Sequence, residues 1–277
     1  GRRLMNNFSH TQHLTIALNQ SIMTIPSDFV AIGQYPMDHL LTTTGFVIAT
    51  VGLIAIDKPT TTFIQKKVNP ALSWSPKELD YGDGQDGYLL LGVGGLYLGG
   101  ALFDSPINQI GALATAKSMI YSGIISQLAL KSIFGRIRPN PDLSVPCTTQ
   151  GFTNNPWDFF HGSKVTFRSA NGPTSMPSFH FSLYFAAGTA LSQTYNSYWP
   201  YLITAAGLLP DFGSHHHWVS DMFAGAAIGT LIGYTVTNNL KNKLGLSKRE
   251  TIMLEPSLEQ RGVQLTYKLQ FDSPNAA

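Results

Sequence analysis

Three short groups of residues carry the chemistry open to this chain. The first, Lys131–Pro139, reads K-S-I-F-G-R-I-R-P and sets six residues between Lys131 and Arg138. The second is Met176-Pro177-Ser178-Phe179-His180, a hydroxyl with an imidazole two positions on. The third is His217-Trp218-Val219-Ser220-Asp221, an imidazole four positions before a carboxylate. Lys and Arg neutralise phosphate oxygens, and a hydroxyl with backbone N–H groups completes a cradle. Of two imidazoles, one can attack phosphorus while the other protonates the leaving group. The inventory suits phosphoryl transfer. Each group alone also has an ordinary reading. A basic residue ending an apolar helix is usually an anchor, a Pro-Ser pair starts many helices, and a His–Asp pair at this spacing often braces one turn. The order and spacing of all three carry the functional reading.

In that order the groups resemble the motifs of the type 2 phosphatidic acid phosphatase superfamily, K-x6-R-P, P-S-G-H and S-R-x5-H-x3-D. That superfamily includes lipid phosphatases, bacterial acid phosphatases and vanadium haloperoxidases. The first motif is intact as Lys131, Arg138 and Pro139, and the second has Phe179 in place of Gly. The third keeps His217 and Asp221, but its Ser-Arg pair falls on Pro210-Asp211. The resemblance spans residues 88–240. It implies His217 as the nucleophile that forms a phosphohistidine, with Asp221 holding one ring nitrogen from one turn away. It implies His180 as the general acid, Lys131 and Arg138 as phosphate clamps, and Ser178 with the Phe179 N–H as an anion-binding helix start. No metal or cofactor is required, because Lys, Arg and the helix end supply the positive charge.

Two departures from the motifs sharpen the expectations. A larger residue at Phe179 resembles the phosphoalcohol transferase branch, including inositol phosphorylceramide synthases. Asp211 stands where an Arg would hold phosphate; losing one such donor is comparable to losing an oxyanion-hole donor, about 10²–10³ in rate. Facing the cradle, Asp211 should pair with Lys131 or Arg138. Pointing away, it would leave Arg168, His215 or His216 to fill the gap.

The elements that must position these groups are apolar segments at 40–56, 88–103, 109–130, 181–195, 199–212 and 219–238. Several are shorter than the roughly 20 residues that span a bilayer comfortably. Small residues recur in them, as in Gly92-Val93-Gly94-Gly95 and Ala224-Gly225-Ala226-Ala227-Ile228-Gly229, which lets helix backbones approach closely in a membrane. The fold expected is all-α, a six-helix transmembrane bundle of the phosphatase/haloperoxidase type, spanning residues 39–244. The alternative, a soluble bundle like the secreted acid phosphatases, gains from Lys117 inside the third segment and from a mean hydropathy of only +0.03. Six spans place Lys131, His180 and His217 on one membrane face, under loops 57–87 and 131–180. Arg136 is expected on another face, as an anchor or loop contact. Basic residues on the two sides do not fix orientation; the resemblance implies a bacterial inner-membrane protein with its site facing the periplasm.

Residues 1–38 read as an N-terminal amphipathic, interfacial segment, with Leu14, Ile16, Ala17, Ile22 and Ile25 on the apolar side. In the polar tail, 245–277, Gly262–Phe271 alternates with period two, a strand signal. One strand is not stable alone, so it should pair with another segment or a partner chain.

Charged residues make up 12% of the chain, against a usual value of about 25%. The net charge of +2 comes without a basic stripe, which argues against nucleic acid as a partner. The single cysteine, Cys147, excludes an internal disulfide. No apolar run of signal-peptide kind follows Gly1-Arg2-Arg3. Three adjacent histidines, His215 to His217, do not share a helix face, and Asp80–Gly87 lacks the Glu that closes a calcium loop; it reads as a turn. These observations point to a membrane phosphatase acting on a lipid phosphomonoester or pyrophosphate. A catalytically weak or silent scaffold subunit, motivated by Asp211, and a phosphoalcohol transferase, motivated by Phe179, are the alternatives.

Overall fold

Each of the six apolar segments forms the body of a helix in the computed structural model, which describes residues 10–72, 83–162, 173–213, 217–246, 249–257 and 262–270. The helices before the site loop are α1 (His10–Met23), α2 (Ile25–Asp38), α3 (Leu40–Phe63), α4 (Asn69–Ala71), α5 (Asp83–Leu102), α6 (Pro106–Ser122) and α7 (Lys131–Phe134). After it come α8 (Phe179–Tyr195), α9 (Pro200–Gly213) and α10 (Val219–Lys243). π-helical turns at Ile64–Val68 and Gly123–Leu130 join α3 to α4 and α6 to α7. Among the described residues, two helices are long and apolar enough to cross a membrane, Leu40–Ala71 and Val219–Lys243. Gly87–Leu102 is apolar but shorter.

The centre of the bundle is the pair α8 and α10, and glycine sets their spacing. Gly225, Gly229 and Gly233 repeat at one-turn intervals against the carbonyls of Ser178, Ser182 and Ala186. A Cβ at Gly225 or Gly233 would stand 2.5 Å from the carbonyl oxygen it faces, and one at Gly229 closer still. Such small residues bring two helix backbones together and fix the ends they carry. Ser182 also ties α8 to the α6 helix through its hydroxyl, 2.6 Å from those of Ser122 and Ser126. The starts of α8 and α10 are thereby locked side by side, with the Ser178 N–H donating to the Asp221 carbonyl at 3.0 Å.

Two regions differ from expectation, and the tail follows it. The N-terminal segment forms two helices, and α2 docks on the bundle. Its Asp28 is fully buried, 2.5 Å from Lys117 Nζ, because a lysine inside an apolar helix needs a carboxylate to offset its desolvation. The loop expected at 57–87 is helical as far as Ala71, so Lys58, Lys66 and Lys67 lie on the extension of α3. Asp83 opens α5 rather than a turn, while residues 80–82 fall outside the described residues. In the tail, the strand read at 262–271 is β4 (Gly262–Gln270), which pairs antiparallel with β3 (Arg249–Ser257) of the same chain. Arg249 stands opposite Gln270 and Ser257 opposite Gly262.

Candidate active site

Lys131 enters the site because the long α6–α7 helix ends just beyond it. Gly135 adopts a left-handed φ of 46° and its N–H closes on the Lys131 carbonyl at 2.9 Å. A Cβ there would lie 2.9 Å from the backbone nitrogens of His161 and Gly162, so glycine both stops the helix and admits the overlying loop. The chain then turns inward at Arg136, runs through strand β1 (Arg138–Pro139), which pairs parallel with β2 (Phe152–Thr153), and returns to Ser178.

Arg136 is the residue that the sequence reading misplaced. Expected on another face as an anchor or loop contact, it does contact the loop, but it is fully buried within the site. Its Nη1 donates to Asp221 Oδ1 at 2.6 Å and to Ser220 Oγ at 2.7 Å. Its Nη2 donates to Asp57 Oδ2 at 2.7 Å, and the Pro156 carbonyl accepts from both Nε and Nη2. The guanidinium lies 4.8 Å from the Phe159 ring centroid and 5.2 Å from that of Trp218. One planar cation therefore joins α3, the site loop and α10, a task suited to the arginine fork. Asp57 was the missed signal: a lone acid in an apolar helix marks a partnered, functional position.

Asp221 is saturated by this framework. Besides Arg136, its Oδ2 accepts the Trp218 N–H at 2.9 Å and the Ser175 hydroxyl at 2.5 Å. The expectation that Asp221 holds His217 along a helix face is corrected on two counts. His217 precedes the helix, whose N-cap is Trp218, and its Nδ1 lies 2.8 Å from the Ser175 carbonyl but 3.8 Å from Asp221 Oδ2. A carbonyl only accepts, so Nδ1 carries the proton and Nε2 the lone pair. Asp221 reaches the ring both through Ser175 and by this longer direct contact.

The structure brings Lys131 and Arg138 to the same end as His217, burying both at 2% and 5% exposure. Arg138 Nε donates to Thr174 Oγ1 at 3.3 Å. Burial, reinforced by these two cations, pushes the His217 imidazole down to about 4, against the smaller opposing pull of Asp221. At neutral pH it is uncharged. Ser178 is fully buried at the start of α8, and among the described residues its hydroxyl has no hydrogen-bond partner. Phe179 directs its ring toward Met119, Leu183 and Ala187, so its bulk packs on the apolar side.

His180 and Asp211 meet each other. His180 Nδ1 is 3.0 Å from Asp211 Oδ1, so the expected partner of Asp211, Lys131 or Arg138, is replaced by the second histidine. Arg168, His215 and His216 lie outside the described residues. Among the described residues no group of three or more His, Cys, Asp or Glu is placed to hold a metal ion.

A family model described as the PAP2 superfamily matches residues 111–244. That match supports membership of the superfamily. The match runs from α6 to the end of α10 and takes in Lys131, Arg138, Ser178, His180, His217 and Asp221, together with the divergent Asp211. No curated protein and no solved structure gave a significant match. The superfamily match suggests a phosphatase-type function.

Proposed function

We propose that the protein is a membrane phosphatase that hydrolyses a lipid phosphomonoester or pyrophosphate through a phosphohistidine. The observation that carries this reading is a pair of buried cations, Lys131 and Arg138, beside a neutral His217 whose Nδ1 is committed to Ser175. Lys131, Arg138, Ser178 and the first N–H groups of α8 would bind the phosphoryl oxygens. Nε2 of His217 attacks phosphorus as the bond to the leaving oxygen breaks, and that oxygen takes a proton from His180. Water then attacks the phosphohistidine, gives its proton to His180 and releases phosphate, and the N–P electron pair returns to Nε2.

The lipid part of the proposal rests on the outer surface and one groove. Leu41, Val47, Ile48, Leu90, Leu91, Leu202 and Ile203 are exposed on α3, α5 and α9. Thr50 and Thr60 on α3 turn their hydroxyls back to the carbonyls of Phe46 and Ile56, as a helix in lipid requires. An apolar groove of about 490 Å³ runs between α3 and α10, lined by Phe46, Val51, Ile228 and Leu231. Its wall includes Met176 and Pro177, next to Ser178, so an acyl chain lying there would hold a headgroup near the cradle. In this reading six helices, α3, α5, α6–α7, α8, α9 and α10, cross a bacterial inner membrane and the site faces the periplasm.

Purified protein should release phosphate from phosphatidic acid or an isoprenyl pyrophosphate in detergent, and His217→Ala should abolish the release. An added alcohol acceptor should yield no phosphorylated alcohol; transfer to it would favour the transferase. Absence of phosphate release from every lipid phosphate tried would favour the scaffold.

A further inference from the structure

Asp211, near the end of α9, occupies the position at which the family motif places a phosphate-binding arginine. A carboxylate cannot bind phosphate, but Oδ1 stands 3.0 Å from Nδ1 of His180, in a pair whose side chains are 22% (His180) and 10% (Asp211) exposed. When His180 is the charged acid, Asp211 at that distance accepts its Nδ1 proton and fixes the ring plane. Nε2 is then the nitrogen that faces away from Asp211 and carries the transferable proton.

We propose that Asp211 is a positioning residue for general-acid catalysis, acting through His180. The inference rests on the phosphatase reading above. As the P–O bond of an alkyl phosphate breaks, its electron pair stays on the leaving oxygen, which takes the Nε2 proton. The proton returns to Nε2 from the water that hydrolyses the phosphohistidine. Among the described residues the other ionisable groups at this end include Lys131, Arg136 and Arg138 after α6, Asp57 on α3, His217 and Asp221 around the start of α10, and Tyr88 on α5. Lys131 and Arg138 oppose a charged His180, and Asp221 is engaged by Arg136. Among the described residues Asp211 is the carboxylate in ion-pair contact with His180.

The test compares kcat/KM of Asp211→Asn for phosphatidic acid, an alkyl leaving group, and for p-nitrophenyl phosphate, whose leaving group needs no proton. The alkyl substrate should lose about 100-fold and the aryl substrate less than about 5-fold, since general-acid assistance matters only for the former. His180→Gln should show the same selectivity. Asp211→Glu should recover part of the alkyl rate, and the basic limb of its pH profile should stand above that of Asp211→Asn. Equal losses on both substrates, or none, would overturn the inference while leaving the phosphatase reading intact if His217→Ala is dead. A wild type that turns over neither substrate overturns both. If Asp211→Asn does not fold, the same alkyl-to-aryl comparison on Asp211→Glu and His180→Gln decides the matter.

Discussion

The bundle buries two ionic clusters, one at each end, and they differ in whether their charges close. At the α2 end, Lys117 meets Asp28 at 2.5 Å and also donates to the Ser21 carbonyl and Thr24 Oγ1. Asp28 takes further hydrogen bonds from Tyr121 and Asn239. One cation faces one carboxylate. At the other end, about 20 Å along α6 at 1.5 Å per residue, the described cations Lys131, Arg136 and Arg138 lie with the carboxylates Asp57 and Asp221, and Arg136 binds both carboxylates. Burying a charge without its counter-charge is costly, and with Asp57 and Asp221 both taken by Arg136, the proposed function gives the 2%-exposed Lys131 the arriving phosphate as its counter-charge. The closed cluster clamps a helix in place, whereas the open one reads as a binding site.

The widest break in that comparison comes from Arg136. Arg136→Met leaves Asp57 and Asp221 buried without their shared cation and should destabilise the fold by about 3–5 kcal/mol, read as a loss of folded protein in detergent melts. Next come the two lysines, which should fail differently. Lys131→Met should keep its melting temperature and lose about 10²–10³ in turnover. Lys117→Met should lose about 3 kcal/mol of stability yet retain the kcat of the folded fraction. If both variants lost stability alone, the distinction between site and clamp would collapse. Gly229→Ala pushes a methyl into the Ser182 carbonyl and should destabilise by roughly 1–3 kcal/mol, with activity falling alongside because the starts of α8 and α10 separate.

The smallest effect is on pH. His217 sits at about 4, below its ordinary 6.5, so it stays an unprotonated nucleophile down to about pH 4. Its contribution to the acid limb of kcat/KM should fall there and not near 6.5. Lys131→Met removes one of the charges that hold it down and should move that limb to higher pH. Because the unfolded chain binds the proton more readily, folding stability linked to His217 is lost as pH falls from 6.5 toward 4. Denaturant melts across that window check the sign.

The contrast also explains what the sequence made legible. Lys131, Arg138, Ser178, His180 and His217 stood out because phosphate chemistry restricts residue type and spacing. The helices followed from their apolar runs. Arg136 carried no such mark, since its role depends on Asp57, distant in sequence on another helix. The spacing of His217 and Asp221 suggested a shared helix face, but Asp221 caps its own helix start through the Trp218 N–H, which puts His217 outside it. Asp211 was visible as a departure from the motif, whereas its pairing with His180 depends on how α8 and α9 pack.

The central claim is that the open cluster delivers a phosphoryl group to His217. Purified protein should be mixed with phosphatidic acid carrying ³²P in its headgroup, quenched within one turnover, and the label tested for acid-labile, base-stable phosphohistidine. The account predicts label on the wild type, none on His217→Ala, and normal labelling of Lys117→Met protein that has folded. Label that persists in His217→Ala, or rapid phosphate release without any phosphohistidine, would contradict it.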